Sequence, residues 1–265
     1  MSQDGILGMR SAGDDLLDIA SRLTEDQWQV ASAAAGWSIK DVFIHLGSLL
    51  ELLQGAVAGG AVPKVGIEEL NDQIVADRRD WTPAQATEFL QEQLSAGVDA
   101  FTGLQNEPAA STLVPMLDLG SYPLHAVADM FSFDMTTHLR YDILAPRGPI
   151  HLSAPALDET RLRPAVSWLI QGLSQMQPDL PSHLLAPISL QLNGPGHRHV
   201  LLTSNAGVLT VSQPADSTVD AISTITSTTV DFLDWSTQRV PWKSLAHISG
   251  DRQVAEHFLN ALNLV

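Results

Sequence analysis

The segment 38–50, with the sequence SIKDVFIHLGSLL, determines how the first half of the chain is interpreted. Ser38 is a suitable N-cap for a helix, and Asp41, three residues later, completes a capping-box-like pattern. Apolar residues then recur at helical spacing on one face. That face carries Val42, His45, Leu46, Leu49 and Leu53. A histidine that points into an apolar core needs a polar partner there, so the segment predicts a buried helix with a partnered imidazole.

Asp134 and His138 form a second polar pair, in the segment 131–140 with the sequence FSFDMTTHLR. They are four residues apart, so on a helix they lie on one face, one turn apart. The same face carries Leu124, Val127 and Phe131. With His45 they supply two imidazoles and one carboxylate, a suitable ligand set for a borderline divalent cation such as zinc.

Both halves of this ligand set also have an ordinary structural interpretation. A lone histidine on an apolar helix face is commonly a core residue bonded to a backbone carbonyl, which is the alternative for His45. The alternative for Asp134 and His138 is a helix-surface pair. If the three residues do bind a metal, its affinity is expected to fall below about pH 6, because imidazole must be neutral to ligate.

The composition excludes several classes of chemistry. The chain has 265 residues and no cysteine, so it has no disulfide, thiolate ligand or cysteine nucleophile. Any thiol in its chemistry must come from a cofactor or a substrate. No apolar run is long enough to cross a bilayer, and no signal-peptide pattern is present. A cytoplasmic location is therefore expected, without a membrane partner.

The charge is strongly acidic and unevenly distributed. The net charge is −16, and residues 1–150 hold 21 acidic and 8 basic residues, against 9 and 6 in residues 151–265. An acidic surface repels phosphate backbones, which disfavours nucleic-acid binding. The asymmetry favours a change of domain near residue 150.

The hydrophobic pattern indicates the same division. Helices are predicted at 6–23, 39–57, 67–79, 82–104 and 123–144, with loops at 61–64 and 106–122. The four longest of these, without the short helix at 67–79, predict a bundle, and Pro146–Pro149 is the best linker candidate. Beyond it, helices are predicted at 158–176, 228–235 and 253–262, and strands at 188–192, 199–203, 208–211, 221–226 and 245–248. This is an α+β pattern.

The segment 36–46, GWSIKDVFIHL, resembles the signature of the mycothiol-dependent maleylpyruvate isomerase family, which belongs to the DinB-like metal-binding bundles. In that family a Gly-Trp-Ser/Thr element opens the second helix, whose motif ends in His-Leu. A later carboxylate-x-x-x-His element on the fourth helix completes the metal site, and here that element is 134–138. The segments 232–239, FLDWSTQR, and 248–255, ISGDRQVA, resemble the family's second domain, which is related to sterol-carrier-like folds.

The resemblance implies a fold, a domain division and a set of site residues. A DinB-like four-helix bundle is expected at 1–147, followed by a small sterol-carrier-like α+β domain at 148–265. A divalent metal, zinc by analogy, is expected on His45, Asp134 and His138, although the family's usual carboxylate is Glu. Mycothiol or another low-molecular-weight thiol is the expected cofactor.

Two arginines are implicated by the same resemblance. Arg239 is expected to bind an anionic group of the substrate or thiol as a catalytic contact, in a cleft between the metal end of the bundle and the C-terminal domain. Arg79 is expected to bind the thiol cofactor, with its neighbour Arg78 as the alternative. The structural alternative for Arg78 and Arg79 is a solvated or salt-bridged surface residue, and that for Arg239 is a helix-end residue that complements the dipole.

These observations predict a metal-dependent, thiol-dependent isomerase or S-transferase that acts on a small electrophilic substrate, such as an unsaturated acid. In an isomerase, the thiol adds to a conjugated double bond, rotation follows and elimination gives the trans product. In a transferase, the adduct is released. The alternatives are a metal-dependent hydrolase on the same bundle and a non-catalytic small-ligand-binding protein. The expected partners are the substrate and the thiol, and the chain is expected to be a monomer or a homodimer.

Overall fold

A computed structural model of the protein describes residues 3–61, 63–214 and 220–264. The chain divides into two units. One unit contains the described residues up to Asp118 together with Tyr122–Ala156. The other contains Leu119–Ser121 and the described residues from Leu157 onward. The predicted boundary at 147/148 falls inside the first unit. The assignment of DinB-like and sterol-carrier-like domains at 1–147 and 148–265 stays a prediction.

The first unit is built mainly from helices. These are α1 (Asp4–Arg22), α2 (Glu25–Trp28), α3 (Ile39–Val57), α4 (Ile67–Ala76), α5 (Pro83–Gly103) and α6 (Ala126–Thr137). Helix α1 packs along α6 and α5, and α3 packs along α5 and α4. The predicted helices at 6–23, 39–57, 67–79 and 82–104 are therefore confirmed, with ends shifted by up to three residues, whereas α2 was not predicted. The predicted loop at 61–64 includes residue 62, which lies outside the described residues.

Local capping explains where the two best-predicted helices begin. The Ser38 amide donates to Asp41 Oδ2 over 2.9 Å, and the Asp41 amide donates to the Ser38 hydroxyl over 3.2 Å, which completes a capping box. Helix α5 begins in the same way at Thr82, with Pro83 in its first turn. Close packing then joins the two helices, because a Cβ at Gly47 would lie 2.7 Å from the Phe89 ring.

Two predictions for the segment 106–144 are wrong in detail. The region expected to be a loop contains a two-stranded sheet, β1 (Leu113–Pro115) and β2 (Ser121–Pro123). The last helix does not begin at Pro123 and is not a single α-helix, because α6 ends at Thr137 and a π-helix follows over His138–Ile143. Its wider turn is marked by the Leu144 amide, which donates to the Leu139 carbonyl five residues earlier.

The second unit is an α+β structure around a five-stranded sheet. Its elements are α7 (Glu159–Gly172), α8 (Leu180–His183), β3 (Ile188–Asn193), β4 (Arg198–Asn205), β5 (Val208–Ser212), β6 (Ser223–Thr228), α9 (Thr229–Ser236), β7 (Ala246–Gly250) and α10 (Arg252–Ala261). The strand order is β5-β4-β3-β6-β7, and β3 and β6 pair in parallel. The predicted α+β layout is confirmed, apart from the short α8.

One face of this sheet forms the core of the second unit. Leu190 pairs with Val200 and with Ile225, so these buried side chains share a face. Helices α9 and α10 pack against β6, and α9 also packs against β3. The opposite face carries polar groups such as His199, whose Nε2 lies 2.9 Å from the Ser189 hydroxyl. Across the described parts of both units, no helix has the length and apolar character needed to cross a membrane.

Candidate metal centre

The three residues predicted as metal ligands lie together in the helical unit. His45 is on α3, Asp134 is on α6, and His138 begins the π-helix. His45 Nε2 lies 3.4 Å from Asp134 Oδ2, and His138 Nε2 lies 3.4 Å from Asp134 Oδ1. Among the described residues, this is the one group of three or more His, Asp or Glu side chains whose ligand atoms all lie within 4.8 Å of one another. The inward orientation inferred from the sequence is therefore present.

The distances between ligand atoms in this cluster match those around a bound divalent ion better than those of direct hydrogen bonds. A separation of 3.4 Å is longer than the about 2.7–3.2 Å typical of a hydrogen bond from nitrogen to oxygen. Ligands about 2.0–2.1 Å from a tetrahedral zinc ion lie roughly 3.3 Å apart. Asp134 Oδ2 is also buried with no hydrogen-bond partner among the described residues, which is the kind of atom that a cation satisfies. Although Asp is shorter than Glu, Asp134 reaches both imidazoles.

His138 has an outer partner that the sequence analysis missed. Its Nδ1 lies 2.9 Å from Asp142 Oδ2, and Asp142 also forms an ion pair with Arg147. An Nδ1–H that donates to a carboxylate leaves Nε2 with a free lone pair facing Asp134, the tautomer that a metal ligand needs. The signal was present as a second four-residue spacing, from His138 to Asp142. Asp142 is 2% exposed, so this bond is shielded from water.

The two acidic side chains control the protonation of His138. Burial by itself lowers the pKa of His138, but Asp134 and Asp142 outweigh burial and raise the pKa to about 9. Burial by itself raises the pKa of Asp134, but His138 and His45 outweigh burial and hold the pKa of Asp134 well below its usual range. Without metal, the cluster therefore contains a carboxylate beside an imidazolium near neutral pH. A metal ion must displace the proton on His138 Nε2.

Trp37 forms an apolar wall over both imidazoles. Its ring centroid lies 4.8 Å from that of His45 and 6.2 Å from that of His138. The preceding Gly36 has a φ of +83°, a left-handed conformation that glycine adopts without strain. The indole Nε1 donates to Asp72 over 3.0 Å, which anchors the ring to α4. Trp37 is therefore a packing residue, and the surface on which it packs is the candidate metal site itself.

The structure distinguishes Arg78 from Arg79. Arg78 donates to Glu51 over 2.6 Å, and its guanidinium lies over the Trp81 and Phe89 rings. Arg79 is exposed and makes a long contact, 3.5 Å, with the Gly36 carbonyl. Both arginines lie in the turn that follows α4, in which their backbone amides donate to the carbonyls three residues earlier.

A cavity of about 450 Å³ adjoins Arg79. Gly36, Trp37 and Arg79 belong to its lining, so Trp37 is shared between the cavity wall and the packing surface of the ligand histidines. The Arg79 guanidinium therefore lies at a cavity whose Trp37 wall also packs against the candidate ligand histidines.

Arg239 lies in the second unit, just beyond α9. Its side chain is half-buried, and its backbone amide donates to the Asp234 carbonyl over 3.0 Å. The preceding Gln238 has a φ of +54°, and its side chain donates to the Leu262 carbonyl over 3.1 Å. Trp235, in the same segment, donates to the Ser227 hydroxyl over 3.0 Å. These bonds give the segment 235–239 a defined conformation. The predicted contact of Arg239 with an anionic ligand stays a prediction.

Comparison with known proteins identifies the helical unit. Residues 9–140 match the model of the mycothiol maleylpyruvate isomerase N-terminal domain. These residues belong to that family. The resemblance expected from the 36–46 signature and the 134–138 element is confirmed.

Two solved structures show the same fold over most of the chain. One is the mycothiol-dependent maleylpyruvate isomerase, with 15% sequence identity and a TM-score of 0.59, and the other is a mutant of that enzyme, with 14% identity and a TM-score of 0.58. Each comparison covers 94% of this chain and 93% of the other. A search of curated proteins finds no match. The helical and sheet-containing halves of the chain therefore both follow the fold of the isomerase.

Proposed function

We propose that this protein is a metal-dependent, thiol-dependent isomerase or S-transferase that acts on a small electrophilic substrate, such as an unsaturated acid. The observation that carries the proposal is the cluster of His45, Asp134 and His138 inside a domain of the mycothiol maleylpyruvate isomerase family. The solved structures with this fold bear the name of a mycothiol-dependent isomerase. The absence of cysteine from the chain agrees with a thiol supplied by mycothiol or a similar small molecule.

The ligand set determines the chemistry that the centre can support. A divalent ion held there, zinc in our proposal, would lower the pKa of a bound thiol and so favour the thiolate at neutral pH. His45, Asp134 and His138 supply three protein ligands, which leaves a position for an exogenous group. In the neutral ring that can ligate, Asp142 holds the His138 proton on Nδ1, which leaves the Nε2 lone pair for the ion. The Trp37 ring covers the imidazoles and excludes water from that side.

Arg79 is the proposed contact for the thiol cofactor. It is exposed at the cavity that Trp37 also lines, whereas Arg78 is engaged with Glu51 and two aromatic rings. A cofactor larger than its thiol group needs such a space for its polar remainder. We choose Arg79 over Arg78 because of their different contacts, since no sequence motif distinguishes the two neighbours.

Arg239 is the proposed contact for an anionic group of the substrate or thiol. Its planar guanidinium can donate two parallel hydrogen bonds to a carboxylate, which lysine cannot do. The well-bonded segment before it supports a fixed position for the side chain. The proposal also includes a cytoplasmic location, small-molecule partners without nucleic acid, and a monomer or homodimer.

The test is metal analysis of the purified chain followed by turnover assays with and without mycothiol. We expect one divalent ion per chain and turnover of maleylpyruvate or a related unsaturated acid only when the thiol is present. Arg239→Lys should retain the metal and raise the Michaelis constant, because loss of one charge-assisted contact is worth roughly 1.5–3 kcal/mol. Metal-dependent turnover without any thiol would favour a hydrolase, and a metal-free, inactive wild-type chain would favour a binding protein.

A further inference from the structure

Each ligand histidine has an aspartate one helical turn away on its own helical segment. For His138 this residue is Asp142, and the bond between them is formed, at 2.9 Å. For His45 it is Asp41, four residues earlier on α3. Helical side chains lean toward the N-terminus, so the His45 ring lies over the turn that contains Asp41. The chain therefore places a carboxylate four residues from each ligand histidine, before His45 and after His138, a spacing at which helical side chains can meet.

The pair on α3 contains two buried atoms of complementary chemistry that are both unused. His45 Nδ1 and Asp41 Oδ1 are each buried and have no hydrogen-bond partner within the described parts of the chain. Their residues are 2% and 5% exposed, so both side chains are largely shielded from bulk solvent. A buried donor or acceptor without a partner is costly, and native structures rarely keep two complementary ones one helical turn apart without a reason.

The position of Asp41 is already determined by its other oxygen. Asp41 Oδ2 accepts from the Ser38 amide over 2.9 Å in the capping box, which leaves Oδ1 free to face a second donor. His45 Nε2 is the atom that faces Asp134, so ligation through Nε2 puts the proton of the neutral ring on Nδ1. That proton needs an acceptor, and Asp41 Oδ1 is the unused one on the adjacent turn.

We propose that Asp41 is the positioning residue for His45, and that its Oδ1 accepts the His45 Nδ1 proton when a metal ion binds. Asp41 then performs for His45 the role that Asp142 performs for His138, while it also caps α3. This inference rests on the proposed metal centre. It goes beyond that centre because it assigns a residue that does not itself bind the ion.

The first test compares zinc affinities of the metal-stripped full chain, titrated against a chromophoric chelator. Asp41→Asn removes the carboxylate charge and keeps an oxygen that can accept from the Ser38 amide. We expect a 10- to 100-fold loss of zinc affinity, as is typical when an outer partner of a ligand histidine is changed. Ser38→Ala is the matched control, because it removes the other half of the capping box and leaves Asp41 in place. It should bind zinc within twofold of the wild type.

The reference variant Asp142→Asn separates this proposal from that of the metal centre. If the wild type binds no zinc, the centre itself is wrong and the role of Asp41 falls with it. If the wild type binds zinc and Asp142→Asn binds it weakly, but Asp41→Asn keeps the wild-type affinity, the role of Asp41 alone is overturned.

A second readout needs no variant. In the zinc-loaded wild type, nitrogen NMR of the imidazoles should show the His45 proton on Nδ1, exchanging slowly with water. A His45 ring bound to zinc through Nδ1, or an Nδ1 proton that exchanges as fast as that of an exposed histidine, would overturn the assignment even if Asp41→Asn did not fold.

Discussion

The two histidine-bearing segments of the candidate metal centre differ in how completely their imidazoles are held. On the π-helix, His138 lies between two carboxylates, with Asp134 at Nε2 and Asp142 at Nδ1. On α3, His45 has Asp134 at 3.4 Å from Nε2 and an unused Nδ1. The first ring is bonded at Nδ1 before any ion arrives, whereas the second has no Nδ1 partner among the described residues, although the Trp37 and His138 rings lie beside it. The His138 side of the candidate centre is therefore preorganised, whereas the His45 side, in our proposal, is completed when a metal ion binds.

The arrangement around His138 has an electrostatic consequence for metal binding. Two aspartates raise the pKa of His138 to about 9, so the preorganised side must release a proton to accept a metal. Preorganisation by negative charge thus improves the position of the ligand and increases competition from protons.

Removal of either imidazole should have the largest effect. His45→Ala and His138→Ala should each purify without the divalent ion, since a carboxylate and one histidine are too few ligands for a stable site. His125→Ala is the control, because this histidine is in the same unit and its ring contacts the Ala110 carbonyl, outside the cluster. Elemental analysis measures the metal content. Full metal retention in both ligand variants would show that the site is elsewhere.

The pH dependence of the metal-free chain should report on the His138 side. Because its pKa is raised above the unfolded value of about 6.5, the stabilisation is complete below about pH 6.5 and is lost as pH rises through about 9. Thermal unfolding of the metal-stripped chain should therefore show lower stability at pH 9 than at pH 6, by up to roughly 3 kcal/mol. His138→Gln does not titrate and should lose this dependence; an unchanged pH profile in that variant would assign the effect to other groups.

The same shift revises the expected pH range of metal binding. The sequence predicted a fall in affinity only below about pH 6, from the ordinary pKa of an imidazole. With His138 protonated up to about pH 9, zinc affinity should already decline as pH falls from 9 toward 6. Competition titrations in buffers across that range measure this decline, and a constant affinity between pH 7 and 9 would contradict it.

A smaller effect is expected from Arg147, which supports only the preorganised side. Its guanidinium pairs with Asp142, and its side chain is 38% exposed, so solvent weakens the interaction. Arg147→Ala should lower zinc affinity a few-fold, much less than Asp142→Asn. Competition titration gives the comparison, with Arg140→Ala as the control on the neighbouring turn. Equal losses for Arg147→Ala and Asp142→Asn would mean that Asp142 is held mainly by its ion pair.

The smallest effect should come from Trp37→Phe, which keeps an aromatic wall and removes the bond to Asp72. Loss of one hydrogen bond lowers the free energy of unfolding by about 1 kcal/mol, measured by urea denaturation. Zinc affinity should change by less than threefold, since a ring still covers His45. Asp72→Ala, which removes the same bond from the other side, is the matched variant and should give a similar loss of stability.

Local sequence patterns determined much of this structure. The Ser38–Asp41 capping box, the start of α5 at Thr82 and the inward faces of His45, Asp134 and His138 are all set by residues within one or two turns. Hydrophobic periodicity and turn residues likewise located β3 to β7 and α9, because alternation and helical spacing are properties of neighbouring residues. The family resemblance needed no more than these short motifs.

Other features depended on contacts between distant segments. The parallel pairing of β3 with β6, the sheet formed by β1 and β2, and the stacking of Trp37 on two imidazoles join residues that the chain order does not relate. The same holds for the choice between Arg78 and Arg79, since Glu51 and Phe89 engage the first from other helices. The π-helix at His138 carries no periodic signal of its own. Short-range spacing thus placed Asp134 and Asp142 one turn from His138, whereas tertiary packing brought His45 to Asp134 and Trp37 to both imidazoles, because only packing joins segments that are far apart in the sequence.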